Sequence, residues 1–263
     1  MTRILTISSV VILAAGILIA LGFIRKDHNH SACSNIRISI NYQNSDTLIS
    51  SDEIMQMLIS GFDTIEGRVL QPKDIAGMKN LIAANPYIAY CDVDFMLNGA
   101  LRIRATQRTP ILRITNGSQA WFVDDKAVVM PRHNSFSARV TVAGGHLDHT
   151  RVLKAGNDLQ ALADTNAAFA SGNLYELITL AKYIHNHQLL NRMVEQIYVN
   201  ASGEFELFTI VGRQRILFGR VDDMEEKFNK LLIFYQAGPS VNGLNQYRTI
   251  NLKYNNQVVC SKS

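Results

Sequence analysis

Residues 4–24 run ILTISSVVILAAGILIALGFI without a charge. At 1.5 Å rise per residue, a helix of that length spans about 30 Å, the hydrocarbon thickness of a bilayer. The pattern predicts a transmembrane helix over 4–24, a short tail at 1–3 and a polar linker at 25–35. Beyond it the hydrophobic period changes. Residues 36–40 (IRISI) alternate apolar and polar, the period of a half-buried strand. Ser50-Ser51-Asp52-Glu53 ahead of Ile54, Met57 and Leu58 predicts a helix start, with acids complementing the dipole. That helix should end by Gly61. Pro72 opens a second helix, with Ile75, Met78, Leu81 and Ile82 at helical spacing, and Asn85-Pro86 stops it. Strands at 88–96 and 100–107 flank Asn98-Gly99, a hairpin turn because both residues tolerate positive φ. The order β-α-α-β-β predicts two helices on one face of a three-stranded sheet.

From Pro110 the pattern becomes strand-rich. Strands are predicted at 111–114 and 120–123 around Asn116-Gly117, then at 127–130, ending at Pro131, and at 138–143, ending at Gly144-Gly145. Residues 146–172 are Ala-rich and polar and read as a loop with a short helix. Residues 173–190 form an amphipathic helix with Leu174, Leu177, Ile178, Ala181 and Ile184 on one face. Three strands follow at 194–200, 205–210 and 215–219, then a helix at 222–235 with Met224, Phe228, Leu231 and Leu232 inward. Residues 247–254 and 258–260 close the chain as a terminal β segment. The expected fold class is α+β: a membrane helix, a β-α-α-β-β domain over 36–107, and a strand-rich domain with two helices over 108–263.

Composition narrows the function. Net charge is +4 and the basic residues are scattered, so no polybasic patch suits nucleic acid. Three cysteines, Cys33, Cys91 and Cys260, cannot complete a disulfide framework, and each reads as a small apolar residue. The apolar run exceeds the roughly 7–15 residues of a signal-peptide core, and Arg25-Lys26 follow it at once, a poor setting for cleavage. The reading is therefore an anchor, with a cytoplasmic N-terminus and the bulk of the chain translocated.

No catalytic constellation emerges. His146-Leu147-Asp148-His149 has i,i+3 spacing and no glutamate, unlike the i,i+4 pair of a zinc helix, and Gly144-Gly145 put it in a loop. His185 and His187 point to different helix faces. G-x-S-x-G, P-loop and G-x-G-x-x-G patterns are missing from the sequence. Asp124-Asp125 suits a turn, Asp222-Asp223 a helix cap, and Trp121 a packed strand. No catalytic residue, cofactor or metal ligand is expected. The product of such a chain is a contact.

Four motifs, in order behind an apolar run, carry a resemblance. Asn85-Pro-Tyr-Ile-Ala-Tyr-Cys-Asp-Val93 and Leu101-Arg-Ile-Arg-Ala-Thr-Gln-Arg-Thr-Pro110 resemble the end of a POTRA domain in the FtsQ/DivIB family of cell-division proteins. Trp121-Phe-Val-Asp-Asp-Lys-Ala-Val-Val-Met-Pro131 is similar to that family's D-x-x-G hairpin, with Ala127 in place of the usual Gly. Phe218-Gly-Arg-Val-Asp-Asp-Met224, continuing to Lys227 and Leu231, resembles the entry to its last helix, and Ile250-Asn-Leu-Lys-Tyr254 its terminal strand. The resemblance implies a non-enzymatic scaffold of the divisome in the bacterial inner membrane, at the septum, with its C-terminal domains periplasmic. It implies FtsB and FtsL-like coiled-coil partners at the β domain, and other divisome membrane proteins at the anchor and POTRA module. A POTRA-bearing client-binding factor in transport or envelope assembly is the alternative, and a membrane-tethered hydrolase comes third.

Residues 247–254 supply the expected contact. If this strand lies at a sheet edge, its free backbone groups can pair with a partner strand. Tyr247, Arg248, Ile250, Leu252, Lys253 and Tyr254 are then the partner-binding residues, with Tyr254 as the aromatic anchor and Lys253 and Arg192 meeting partner acids. The strand at 36–40 offers a second edge for another partner.

Overall fold

The computed structural model describes residues 13–17, 32–43, 46–117, 119–132, 138–237 and 246–262. The expected membrane span lies outside the described residues except for 13–17, which are helical. No helix among the described residues is long and apolar enough to cross a membrane. The protein is α+β and divides into two compact units, Met1–Gln43 with Ile49–Gln107, and Asn44–Leu48 with Arg108–Ser263.

The first unit follows the predicted order: β1 (Asn35–Asn41), α1 (Ser51–Phe62), α2 (Pro72–Ala83), β2 (Ile88–Phe95) and β3 (Ala100–Gln107). The start of α1 is a reciprocal cap. The Ser50 hydroxyl accepts the Glu53 N–H at 3.2 Å and the Glu53 carboxylate accepts the Ser50 N–H at 2.7 Å. The sheet order is β1-β3-β2, with β1 parallel to β3. A first strand that pairs with the third must cross over, and α1 and α2 make that crossing. Ile54 and Leu58 of α1, Met78 and Ile82 of α2, and Leu101 and Ile103 of β3 are fully buried. The opposite face is polar: Arg102 meets Asp94 at 2.9 Å, and Arg104 meets Asp92 at 2.7 Å.

The second unit is one mixed sheet of nine strands. In chain order these are β4 (Pro110–Asn116), β5 (Gln119–Asp124), β6 (Val129–Pro131), β7 (Thr141–Gly145), β8 (Val194–Val199), β9 (Phe205–Thr209), β10 (Arg215–Gly219), β11 (Tyr247–Asn251) and β12 (Val259–Lys262). In space the order is β12-β11-β10-β9-β8-β7-β4-β5-β6. Ile250, Ile216, Leu207, Ile197, Ala143 and Ile114 are register neighbours across six strands, and all are buried. Helix α5 (Asn173–Asn186) supplies Leu174, Leu177, Ile178 and Ala181 to the same core, and α7 (Met224–Ala237) supplies Phe228 and Leu231.

The structure explains the motifs physically. Asp124 is buried, and Arg108 donates to it at 2.8 Å. Its other oxygen accepts the N–H groups of Lys126 and Val128, closing a turn in which Ala127 sits at φ +68°. That left-handed conformation is why a glycine suits this position. Lys227, also buried, donates to the Arg220 carbonyl at 2.9 Å and to Asp222 at 3.1 Å, and lies over the Phe218 ring. It locks β10 to the first turn of α7.

Several boundaries differ from the sequence reading. The second unit has more than two helices: α3 (Leu159–Thr165), α4 (Ala167–Ala170) and α6 (Gln188–Met193) join α5 and α7. Asp158 and Asn166 cap α3 and α4 through their side chains, and Phe169 anchors the segment in the core. The helix expected over 173–190 breaks at His187, whose extended backbone and Nδ1 cap α6. Gly144 and Gly145 do not follow the strand but are the last two residues of β7. An added Cβ on Gly145 would strike the Val199 backbone, so only glycine lets β7 and β8 pair there. The strand placed at 127–130 begins instead at Val129, because Ala127 belongs to the turn.

Candidate functional site at the terminal hairpin

The terminal β segment is a hairpin, and this overturns one expectation. β11 is paired on both sides, parallel to β10 and antiparallel to β12. Tyr247–Asn251 therefore present no unpaired row; the sheet's own last strand covers it. The strand also stops at Asn251, whose side chain accepts the Lys253 N–H at 3.0 Å and turns the backbone out of register. Asn256, at φ +57°, completes the reversal. The Asn255-Asn256 pair was the available sequence signal, since asparagine tolerates the left-handed region.

The proposed contact residues separate into three groups. Ile250 and Leu252 are fully buried in the core and cannot meet a partner. Ile250 is the inward position of β11, and Leu252, just past the strand's end, is held by its N–H bond to the Leu217 carbonyl at 3.0 Å. Lys253 is already engaged: both Glu204 oxygens accept from its ammonium at 3.1 Å, so it is not free for partner acids. Tyr247 is half-buried, its ring edge-on to Phe234 at 6.2 Å, while Arg248 is exposed. Tyr254 is half exposed at the hairpin tip. Arg192 is exposed in the last turn of α6, at the entry to β8. β8 is four strands in from β12, about 19 Å at the usual strand spacing, so Arg192 does not join the hairpin patch.

Sequence reasoning placed β structure at 258–260 but missed that this strand, β12, pairs with β11 and ends the sheet. Its four residues end the nine-stranded sheet, and no strand flanks their outer side among the described residues. Val259 and Ser261 share a face with Asn251 and Thr249, while Cys260 lies beside Ile250. The hydroxyls of Thr249 and Ser261 are 2.6 Å apart. Val259 of β12 and Tyr254 in the connecting turn are both substantially exposed apolar side chains. Partial burial pushes the Cys260 thiol up, so it stays protonated at neutral pH.

Helix α7 holds the hairpin. The Lys230 ammonium donates to the Tyr254 carbonyl at 2.7 Å and the Leu252 carbonyl at 3.3 Å, and pairs with Glu226 at 3.1 Å. Glu226 in turn accepts the Asn256 N–H. The hydrogen bond from Lys230, then the Asn256 N–H, holds the Glu226 carboxyl below its ordinary range.

The histidine motif is structural. Asp148 accepts the N–H groups of Asn173 and Leu174, capping α5, and His149 packs edge-on against Phe169. Among the described residues, no group of three or more His, Cys, Asp or Glu is placed to hold a metal.

The second unit's sheet thus ends in a strand that is uncovered among the described residues, its hairpin clamped by a helix. Residues 109–261 match the family described as FtsQ/DivIB, C-terminal related, and the chain belongs to that family. The family is one of cell division, and its members act as non-enzymatic proteins. No curated protein matches the chain.

Proposed function

We propose that this protein is a divisome scaffold of the bacterial inner membrane that captures a partner by strand addition at β12. The uncovered outer edge of β12 carries the reading. An extended partner segment would continue the sheet through backbone hydrogen bonds, with side chains selecting at alternate positions. The exposed side chains of Tyr254 and Val259 offer apolar contact at the turn end of the hairpin, and Arg248 and Lys262 offer charge at its far end. The partner is of the FtsB and FtsL coiled-coil kind, the membrane tether is the run at 4–24, and the first unit is a POTRA module. The family assignment and the clamped hairpin support this reading.

Tyr254→Ala tests it. Its side chain is half exposed, so the melting transition should stay within about 1 °C of the parent, as for ordinary surface changes. Capture of an FtsB-like periplasmic segment should weaken at least about tenfold, as for an interface aromatic. Unchanged capture would discard the hairpin as the docking site. Depletion in cells should give undivided filaments, and normal septation would remove the division role itself.

A further inference from the structure

The first unit has an unfinished edge of its own. β1 is an outer strand, yet its apolar row Ile36, Ile38 and Ile40 is only half-buried. The other outer strand, β2, is finished: Cys91 and Val93 are buried under α2. The direction of the backbone along β1 follows from two bonds. Ser34 N–H points inward to the Gly99 carbonyl, and Cys33 N–H points outward to the Arg68 carbonyl. By alternation, Asn35, Arg37, Ser39 and Asn41 direct their backbone groups outward. The segment around Val69 covers the start of this edge through its bridge to Ala32 and then leaves it. Beyond that point no strand lies on the outer side of β1 among the described residues.

Two features say what would fit. A pocket of about 360 Å³ opens beside the edge, with Ile36, Met55, Ile59 and Ile65 as its apolar lining and Asp63 and Glu66 on its rim. Ile59 is more than half exposed there. On the opposite face the charge pattern is one member short. Arg102 and Arg104 meet Asp94 and Asp92 from β2, whereas Arg37 is aligned with Arg102 and pairs with no acid among the described residues.

We propose that β1 takes an extended segment of a partner protein whose apolar residues alternate with polar ones. One apolar side chain fills the Ile36–Ile59 pocket, and a carboxylate on the other face pairs with Arg37. Backbone bonds supply the pairing, the pocket fixes the register, and Arg37 selects the charge. This edge does not depend on β12, so failure at the terminal hairpin leaves it standing.

The test uses the full chain and a labelled peptide of alternating valine and threonine with one central glutamate, read by fluorescence anisotropy. A second peptide carries lysine in place of that glutamate. The glutamate peptide should bind. Ser39→Pro removes an outward N–H while sparing the bonds to β3, and should weaken binding at least about tenfold. Arg37→Glu should reverse the preference between the two peptides, with the melting transition unchanged. No detectable binding, or an unreversed preference in Arg37→Glu, overturns the proposal. Binding that survives Ser39→Pro but is lost in Ile59→Asp would mean a helix lies in the groove, and also overturns it.

Discussion

Lys230→Met isolates the clamp on the terminal hairpin. Methionine keeps most of the packed stem and removes the ammonium. Lys230 is 13% exposed and donates to the carbonyls of Leu252 and Tyr254. A hydrogen bond from a charged donor contributes roughly 1.5–3 kcal/mol, and a buried acceptor left unmade costs about 1–3 kcal/mol. Tyr254 is half exposed, so water replaces much of its bond, whereas Leu252 is fully buried and its carbonyl is left poorly served. The expected loss is about 2 kcal/mol, or a fall in Tm of roughly 4–8 °C for a unit of this size. The sharper readout is amide exchange. If opening of the hairpin governs exchange, protection along Val259–Lys262 should fall about 30-fold, while β8 and β9 are spared. Lys253→Met is the control. Its pair with Glu204 is about one-third exposed on both sides, so it should cost no more than about 1 kcal/mol. Equal loss of protection in the two variants, or none in Lys230→Met, would refute the clamp.

Three further outcomes follow from the same geometry. Ile250→Ala opens a cavity in the core beneath the penultimate strand and should cost about 2–5 kcal/mol in denaturant unfolding at 25 °C, in contrast to Tyr254→Ala. Asp124→Asn leaves the Arg108 guanidinium without its carboxylate in a buried site and should cost about 3 kcal/mol, read as a shifted urea midpoint with an unchanged slope. Glu226 has a lowered folded-state pKa, so its contribution to the hairpin is complete above the ordinary glutamate range and is lost as pH falls through the lower folded value. Exchange protection of the Asn256 amide should therefore be flat through neutral pH and fall only on strong acidification, and Glu226→Gln should remove that pH dependence.

Local pattern determined a good deal of this protein. The reciprocal cap at Ser50 and Glu53, the Pro72 start, the Asn98-Gly99 turn and the alternation in β3 fixed the order of the first unit, because each acts within a few residues. Short-range chemistry also put Asp124 in a turn. Tertiary structure alone decided which strand is outermost. The alternation of Ile250 and Leu252 is the same in an edge strand as in a covered one, since period tells which face is apolar but not what lies alongside. That neighbour is β12, four residues whose pairing depends on a turn at Asn256 and on an ammonium from α7 that reaches Tyr254, 24 residues later in the chain. A contact at that separation leaves no periodic trace, so the exposed backbone of this protein could be located only once the chain was folded.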